Sequence, residues 1–270
     1  MNARHIALAG VLAWSAASPA FAETDEIVTA QRSGYTISGL ATYEGAGGPR
    51  KRGIALFPGY PSIMKIQRGD DGAPKYELKG NFLVRARRFW LDDETLVLCM
   101  DAPSDQWANF PQYFRATARY GEDIAALLDA AAKKYGVQEW TFVGTSEGSI
   151  SAFHAARMNP ALAKRLILTS SLFDSNRNGP GLGNADLSRL PAQTLWVHHA
   201  DDPCPYTSYR TAQEFAKRSG KPLLTVHGGG GWKGDACQAF TAHGYRGVER
   251  ETVLAMREWV RTGNVPADVR

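Results

Sequence analysis

Short unbroken apolar runs alternate along this chain with stretches whose apolar residues recur every three or four positions. A run without polar alternation suits a parallel strand buried on both faces, and the three-to-four spacing suits an amphipathic helix. Residues 53–57, 95–100, 139–143, 165–169, 194–198 and 222–226 are predicted strands of the first kind. Segments 81–90, 120–135, 150–158, 209–218 and 248–260 carry the helical spacing; in 120–135, Ile124, Leu127, Leu128 and Ala131 fall on one face. Ahead of them, 26–43 alternates apolar and polar residues about Ser33-Gly34 and predicts an antiparallel hairpin. Segment 62–79 is polar and reads as a surface excursion. Strands alternating with helices predict a single α/β domain over residues 23–270, with a mainly parallel twisted sheet and helices on both faces. The stretch between Ser171 and Pro191 is too short and glycine-rich for a large cap domain, so a site at the sheet edge should be open.

One junction carries chemistry. Val143-Gly144-Thr145-Ser146-Glu147-Gly148-Ser149 leaves a predicted strand and enters a predicted helix. The turn is tight enough that side chains at Gly144 and Gly148 would collide with neighbouring backbone. It would hold the Ser146 hydroxyl above the sheet, at a helix N-terminus that favours negative charge. By itself, G-x-S-x-G equally describes a plain glycine turn before a helix. Its surroundings sharpen the reading. Asp201-Asp202 follows the strand at 194–198, and His243 follows the last strand. Serine, acid and histidine then come in that order, each just past a strand's C-terminal end, where open α/β sheets gather catalytic groups. Pro58-Gly59-Tyr60-Pro61, after the first buried strand, is the kind of loop that lends backbone N–H groups to an oxyanion. Gly59 or Tyr60, with Glu147, are the candidate oxyanion donors. Trp107, Phe110, Tyr113 and Phe114 suit either a pocket wall or ordinary core.

On these residues the chain resembles the α/β-hydrolase superfamily over nearly all of 23–270. It is similar in particular to exported bacterial α/β hydrolases with Asp-Ala-Pro-Ser-Asp after the fourth strand, here 101–105. Those proteins also carry His-His-x-x-Asp-x-Cys, here 198–204, and Cys…His-Gly-[Phe/Tyr], here 237–245. The resemblance implies a Ser146–His243–Asp202 triad, with Asp201 as a surface neighbour of the acid. It also implies a carboxylic ester cleaved through an acyl-enzyme, with no cofactor. Glu147 departs from the arginine the resemblance would place after the nucleophile, which leaves the charge preference of the pocket open. Since a fold does not fix the bond, thioester, amide and peptide hydrolysis stay as alternatives, as does a non-catalytic binding module. With Asp202 bonded to His243, the loops bearing Cys204 and Cys237 must run side by side, and a disulfide between them is expected. Neither cysteine has a partner at metal-finger spacing, and Cys99, in an apolar run, reads as a buried free thiol.

The first residues change the picture of where this chemistry occurs. Arg4, an apolar stretch over 6–17 and Ala20-Phe21-Ala22 have the form of a signal peptide, residues 1–22, with a mature start near Glu23. The stretch is too short to span a bilayer, so a periplasmic or secreted protein is expected. A formal charge of +4 with scattered basic residues carries no nucleic-acid footprint. Small-molecule acyl compounds are the expected partners. His198 and His199 are expected to shape the acid loop rather than bind metal, and His154 to be structural. His227 heads Gly228–Gly231, which lacks the Lys-Ser/Thr ending of a phosphate loop and reads as a flexible loop.

Overall fold

A computed structural model describes residues 23–45 and 48–270; the expected signal peptide at 1–22 lies outside the described residues. The strands are β1 (Glu23–Gln31), β2 (Thr36–Glu44), β3 (Arg52–Phe57), β4 (Gln67–Arg68), β5 (Pro74–Lys75), β6 (Thr95–Met100), β7 (Glu139–Thr145), β8 (Ala163–Thr169), β9 (Gln193–His199) and β10 (Leu223–Val226). The helices are α1 (Phe82–Ala86), α2 (Gln112–Arg115), α3 (Ala118–Tyr135), α4 (Gly148–Met158), α5 (Tyr209–Ser219) and α6 (Glu249–Thr262).

Eight strands form one sheet in the order β1-β2-β6-β3-β7-β8-β9-β10. The predicted hairpin is the antiparallel pair β1–β2, and β2 meets β6 antiparallel; every pairing from β6 to β10 is parallel. The six apolar runs are β3, β6, β7, β8, β9 and β10, each largely buried, with the first five inside the sheet and β10 at its edge. On one face Ile124, Leu127 and Leu128 of α3, Phe153 of α4 and Phe215 of α5 pack with Phe142 and Trp196. On the other, Leu83 of α1 and Met256 and Trp259 of α6 pack with Leu56, Val97 and Val143. This is the mainly parallel α/β sheet with helices on both faces, and no large cap covers it among the described residues. α3 is capped by Thr117, whose hydroxyl accepts the Tyr120 amide at 3.3 Å, and stops at Gly136 in the left-handed region at φ 80°.

Segment 62–79 departs from the expected surface excursion. Ser62, Ile63, Met64 and Ile66 are buried, and the exposed residues of the segment lie beyond them, mostly in the small β4–β5 hairpin with Glu77 and Lys79 following. The cause is long-range: the Asp101 carboxylate, at the end of β6, accepts the amides of Met64 at 2.6 Å and Ile66 at 2.8 Å. A local polarity pattern carries no trace of that clamp. The glycine loop after β10 is tied as well, since the Gly230 amide donates to the Arg246 carbonyl at 3.0 Å. A side chain at Gly229 would strike that same carbonyl. Gly229 thus serves close approach between two loops, whereas an added side chain at Gly230 or Gly231 would meet open space.

Candidate active site

β7 runs out at Thr145, and the chain reverses into α4 through Ser146, which has φ 53°. A non-glycine residue in this region is strained and persists only where its surroundings fix it. Here they do. The Ser146 amide donates to the Thr169 carbonyl at 3.1 Å, and the Ser146 carbonyl accepts both the amide and the hydroxyl of Ser149, at 2.9 and 2.6 Å. The two glycines are required as expected: a Cβ at Gly148 would strike the carbonyl oxygens of Phe57 and Pro58, and one at Gly144 the Gly148 carbonyl. Gly59 lies against the same turn, where an added Cβ would sit 3.2 Å from that of Ser146. The amides of Gly59, Tyr60 and Glu147 have no acceptor among the described residues, although Ser62 and Arg115 use the Gly59 and Glu147 carbonyls.

Of the two adjacent acids, Asp202 meets His243. Its carboxylate oxygens lie 3.0 and 3.3 Å from His243 Nδ1, and its side chain is fully buried. Asp201 is exposed and turns away, its amide donating to His199 Nδ1 at 3.1 Å. Asp202 also accepts the Cys204 amide at 2.9 Å and the Thr207 hydroxyl at 2.9 Å. Burial alone would raise its pKa, but the neighbouring His243 ring, with the Cys204 amide, outweighs it and holds the carboxyl below its usual range. With the carboxylate at Nδ1, that nitrogen carries the proton and Nε2 is left as a base. Thr207 Oγ1 lies 3.2 Å from the same Nδ1 and so braces both partners, a role for which the sequence offered no signal.

The backbone around His243 is fixed from three sides. Thr241 Oγ1 accepts the His243 amide, Ser170 Oγ donates to the His243 carbonyl at 2.8 Å, and Arg85 donates to the Gly244 carbonyl at 2.6 Å. The buried Tyr245 hydroxyl donates to the Val197 carbonyl at 2.8 Å and accepts the Ser170 amide. A Cys204–Cys237 disulfide, with Cα atoms 4.6 Å apart, joins the acid loop to the loop before His243. Cys99 is buried and unpaired, and burial pushes its thiol up to about 12.

The remaining histidines have other tasks. His199 shapes the acid loop, holding Asp201 through Nδ1 and the Gly228 carbonyl through Nε2. His198 instead accepts the Ser171 amide at 2.8 Å; burial lowers it to about 4, so the ring is neutral. His154, on α4, is likewise lowered to about 4 by burial. Among the described residues no three His, Cys, Asp or Glu side chains are arranged to hold a metal, and no helix is long and apolar enough to cross a membrane.

Two cavities meet at Ser146. One, of about 420 Å³, is walled by Glu147, Leu172, Arg177, Asn178 and Tyr206; the other, of about 280 Å³, by Gly59, Phe82, Phe240 and His243. Tyr60 and Cys237 line both. A third, of about 480 Å³, is lined by Phe110 and Tyr113, which settles the aromatic run as mixed: Phe110 and Phe114 are buried, Tyr113 exposed. Behind the nucleophile turn lies an ion pair that sequence reasoning missed. Arg115, fully buried, donates to a Glu147 carboxylate oxygen at 3.1 Å, to Ser62 and Ser151, and to the carbonyls of Phe110 and Glu147. Asn178 donates to the other Glu147 oxygen at 3.2 Å. Burial raises the Glu147 carboxyl while Arg115 pulls it back. An arginine thus does sit against this turn, supplied from α2.

No family model and no curated protein matches the chain. Solved structures do resemble it. Est1E from Butyrivibrio proteoclasticus superposes with a TM-score of 0.60 at 15% identity, covering 87% of this chain and 97% of its own. An α/β serine hydrolase without lid from Xanthomonas campestris gives 0.55 at 14% identity, covering 91% and 96%. An esterase described as cold-adapted, from an Arctic intertidal metagenomic library, gives 0.55 at 14% identity, covering 80% and 90%. The parallel sheet order, the strained serine between β7 and α4 and these superpositions together place the chain in the α/β-hydrolase fold.

Proposed function

We propose that this protein is an exported serine hydrolase that cleaves a carboxylic ester through Ser146, His243 and Asp202. The observation that carries the reading is the buried Asp202 carboxylate 3.0 Å from His243 Nδ1, on a ring that lines one cavity with the strained Ser146. In this mechanism Ser146 Oγ attacks the ester carbonyl carbon as His243 Nε2 takes its proton. Asp202 keeps the imidazole in the required tautomer and stabilises the imidazolium. The amides of Glu147 and of Gly59 or Tyr60, without acceptors of their own among the described residues, receive the oxyanion. Collapse of the tetrahedral intermediate breaks the bond to the alcohol, which leaves with the proton from His243. Water, deprotonated by the same ring, then releases the acid from the acyl-serine. No metal or cofactor enters these steps.

The cold-adapted esterase among the similar structures favours an ester over the same chemistry on thioesters, amides or peptides. Export is proposed from the leader-like residues 1–22, and the Cys204–Cys237 disulfide suits an oxidising compartment. The test is a matched panel of p-nitrophenyl esters, thioesters and anilides of equal acyl length. Turnover of the esters with the highest kcat/KM supports the reading. Turnover confined to thioesters or anilides moves the assignment to that bond, and no turnover of any member overturns it.

A further inference from the structure

We infer that the acyl group of the substrate carries a terminal carboxylate and that Arg177 is the residue that selects it; this rests on the serine-hydrolase reading above. The orientation of substrate follows from proton transfer. His243 must return its proton to the leaving oxygen, so the leaving group lies on the His243 side of Ser146. His243 lines only the smaller of the two cavities that contain Ser146. The acyl chain therefore enters the larger one, toward Leu172, Asn176 and Arg177.

That cavity has two charged side chains, and they differ in state. Glu147 is satisfied from behind by the buried Arg115 and by Asn178, so its charge is already matched. Arg177 is exposed; its one hydrogen bond among the described residues is a 3.4 Å contact with the Tyr60 hydroxyl, and it makes no ion pair there. Arg177 is near enough to help pull the Glu147 carboxyl down, yet it forms no ion pair among the described residues, so the acyl cavity keeps a cation free to pair with a ligand. Its guanidinium presents a fork of donors suited to a planar carboxylate.

Arg177 also stands on a rigid base. Asn176 and Gly179 exchange backbone hydrogen bonds at 2.9 and 3.1 Å, and the Asn176 side chain accepts the Asn178 amide at 2.8 Å. The buried Gln112 side chain donates to Asn176 and accepts the Gly181 amide at 2.9 Å. A side chain at Gly179 would run into Gln112, so this turn is packed as well as bonded. Through Asn178 it is tied to Glu147, the residue beside the nucleophile. The departure from arginine at position 147 thus anchors the cation one loop away.

The test compares the mono-p-nitrophenyl ester of glutaric acid with p-nitrophenyl valerate, which has the same chain length and no charge. Wild type should favour the anionic ester in kcat/KM, with the preference shrinking as salt is added. Arg177→Gln should lower the anionic-to-neutral ratio about tenfold, and Arg177→Lys should restore part of it. A preference for valerate, or a ratio unchanged in Arg177→Gln, overturns the assignment. Fluorophosphonate labelling of each variant separates the two levels. A labelled Ser146 with no anionic preference removes the acyl assignment alone, whereas an unlabelled protein that turns over neither ester removes the serine-hydrolase reading and this inference with it.

Discussion

Replacing Cys237 by serine is the cleanest way to ask what the disulfide does. Cys237 is exposed while Cys204 is 2% exposed, so the change cuts the link with no cavity in the core. The bridge spans a sequence separation of 33. On the chain-entropy model, closing such a loop stabilises the fold by about 4 kcal/mol at 25 °C. For a domain of this size that corresponds to a melting temperature lower by about 8–10 °C. The chemistry should suffer with it. Cys204 donates its amide to Asp202 and Cys237 stands six residues before His243, so the bridge holds the acid loop beside the base loop. Small displacement of such a pair costs far more rate than binding, and a fall in kcat/KM of about tenfold or more is expected, with most of it in kcat. Thermal melts and ester hydrolysis should be run on Cys237→Ser and on wild type with and without a phosphine reductant. Reduced wild type should coincide with the variant. A melting temperature and rate unmoved by either treatment would refute the reasoning.

Asp202→Asn should lower kcat by orders of magnitude, as the wrong tautomer of His243 would be favoured, while Asp201→Asn stays within about twofold of wild type; steady-state kinetics decide between them. The same variant has a pH signature: because the folded state depresses the Asp202 pKa, its contribution to stability is complete above about pH 4 and lost as pH falls below that, so Asp202→Asn should flatten this acid limb in melting temperature. Arg115→Met should destabilise by about 3–5 kcal/mol in urea titrations, because it strands a buried Glu147 carboxylate, and adding Glu147→Gln should recover part of the loss. If Arg115→Met and the double variant melted alike, the ion pair would not be the source of the cost.

What was legible in the chain is what is carried by local spacing. Apolar runs with no alternation gave the parallel strands, and Gly144 and Gly148 marked the elbow because the collision they avoid lies within a few residues or on the adjoining strand end. The order of Ser146, Asp202 and His243 was readable for a similar reason, since Ser146 and Asp202 follow β7 and β9 closely and His243 lies in the loop after β10. The choice of Asp202 over Asp201 came from a resemblance, and its physical basis is visible only in three dimensions, where Cys204 and Thr207 turn one carboxylate inward and His199 holds the other residue out. Thr207 apart, which binds Asp202 from five residues away, the groups missed were bound across distance in sequence. Arg115 and Glu147 lie 32 residues apart with no periodicity relating them, and Asp101 clamps Met64 and Ile66 from 37 and 35 residues away. Polarity alone put the 62–66 segment on the surface because the partner that buries it is not in the window.

The central claim is that Ser146 is a nucleophile activated by His243. Intact-mass and peptide mapping after treatment with a fluorophosphonate measure this most directly. One adduct per chain, located on the peptide containing Ser146 and absent from Ser146→Ala and from His243→Ala, is the predicted result, with the Ser146→Ala protein still folded by circular dichroism. Labelling that persists in Ser146→Ala, or a wild-type protein that is folded, oxidised at Cys204–Cys237 and unlabelled, would contradict it.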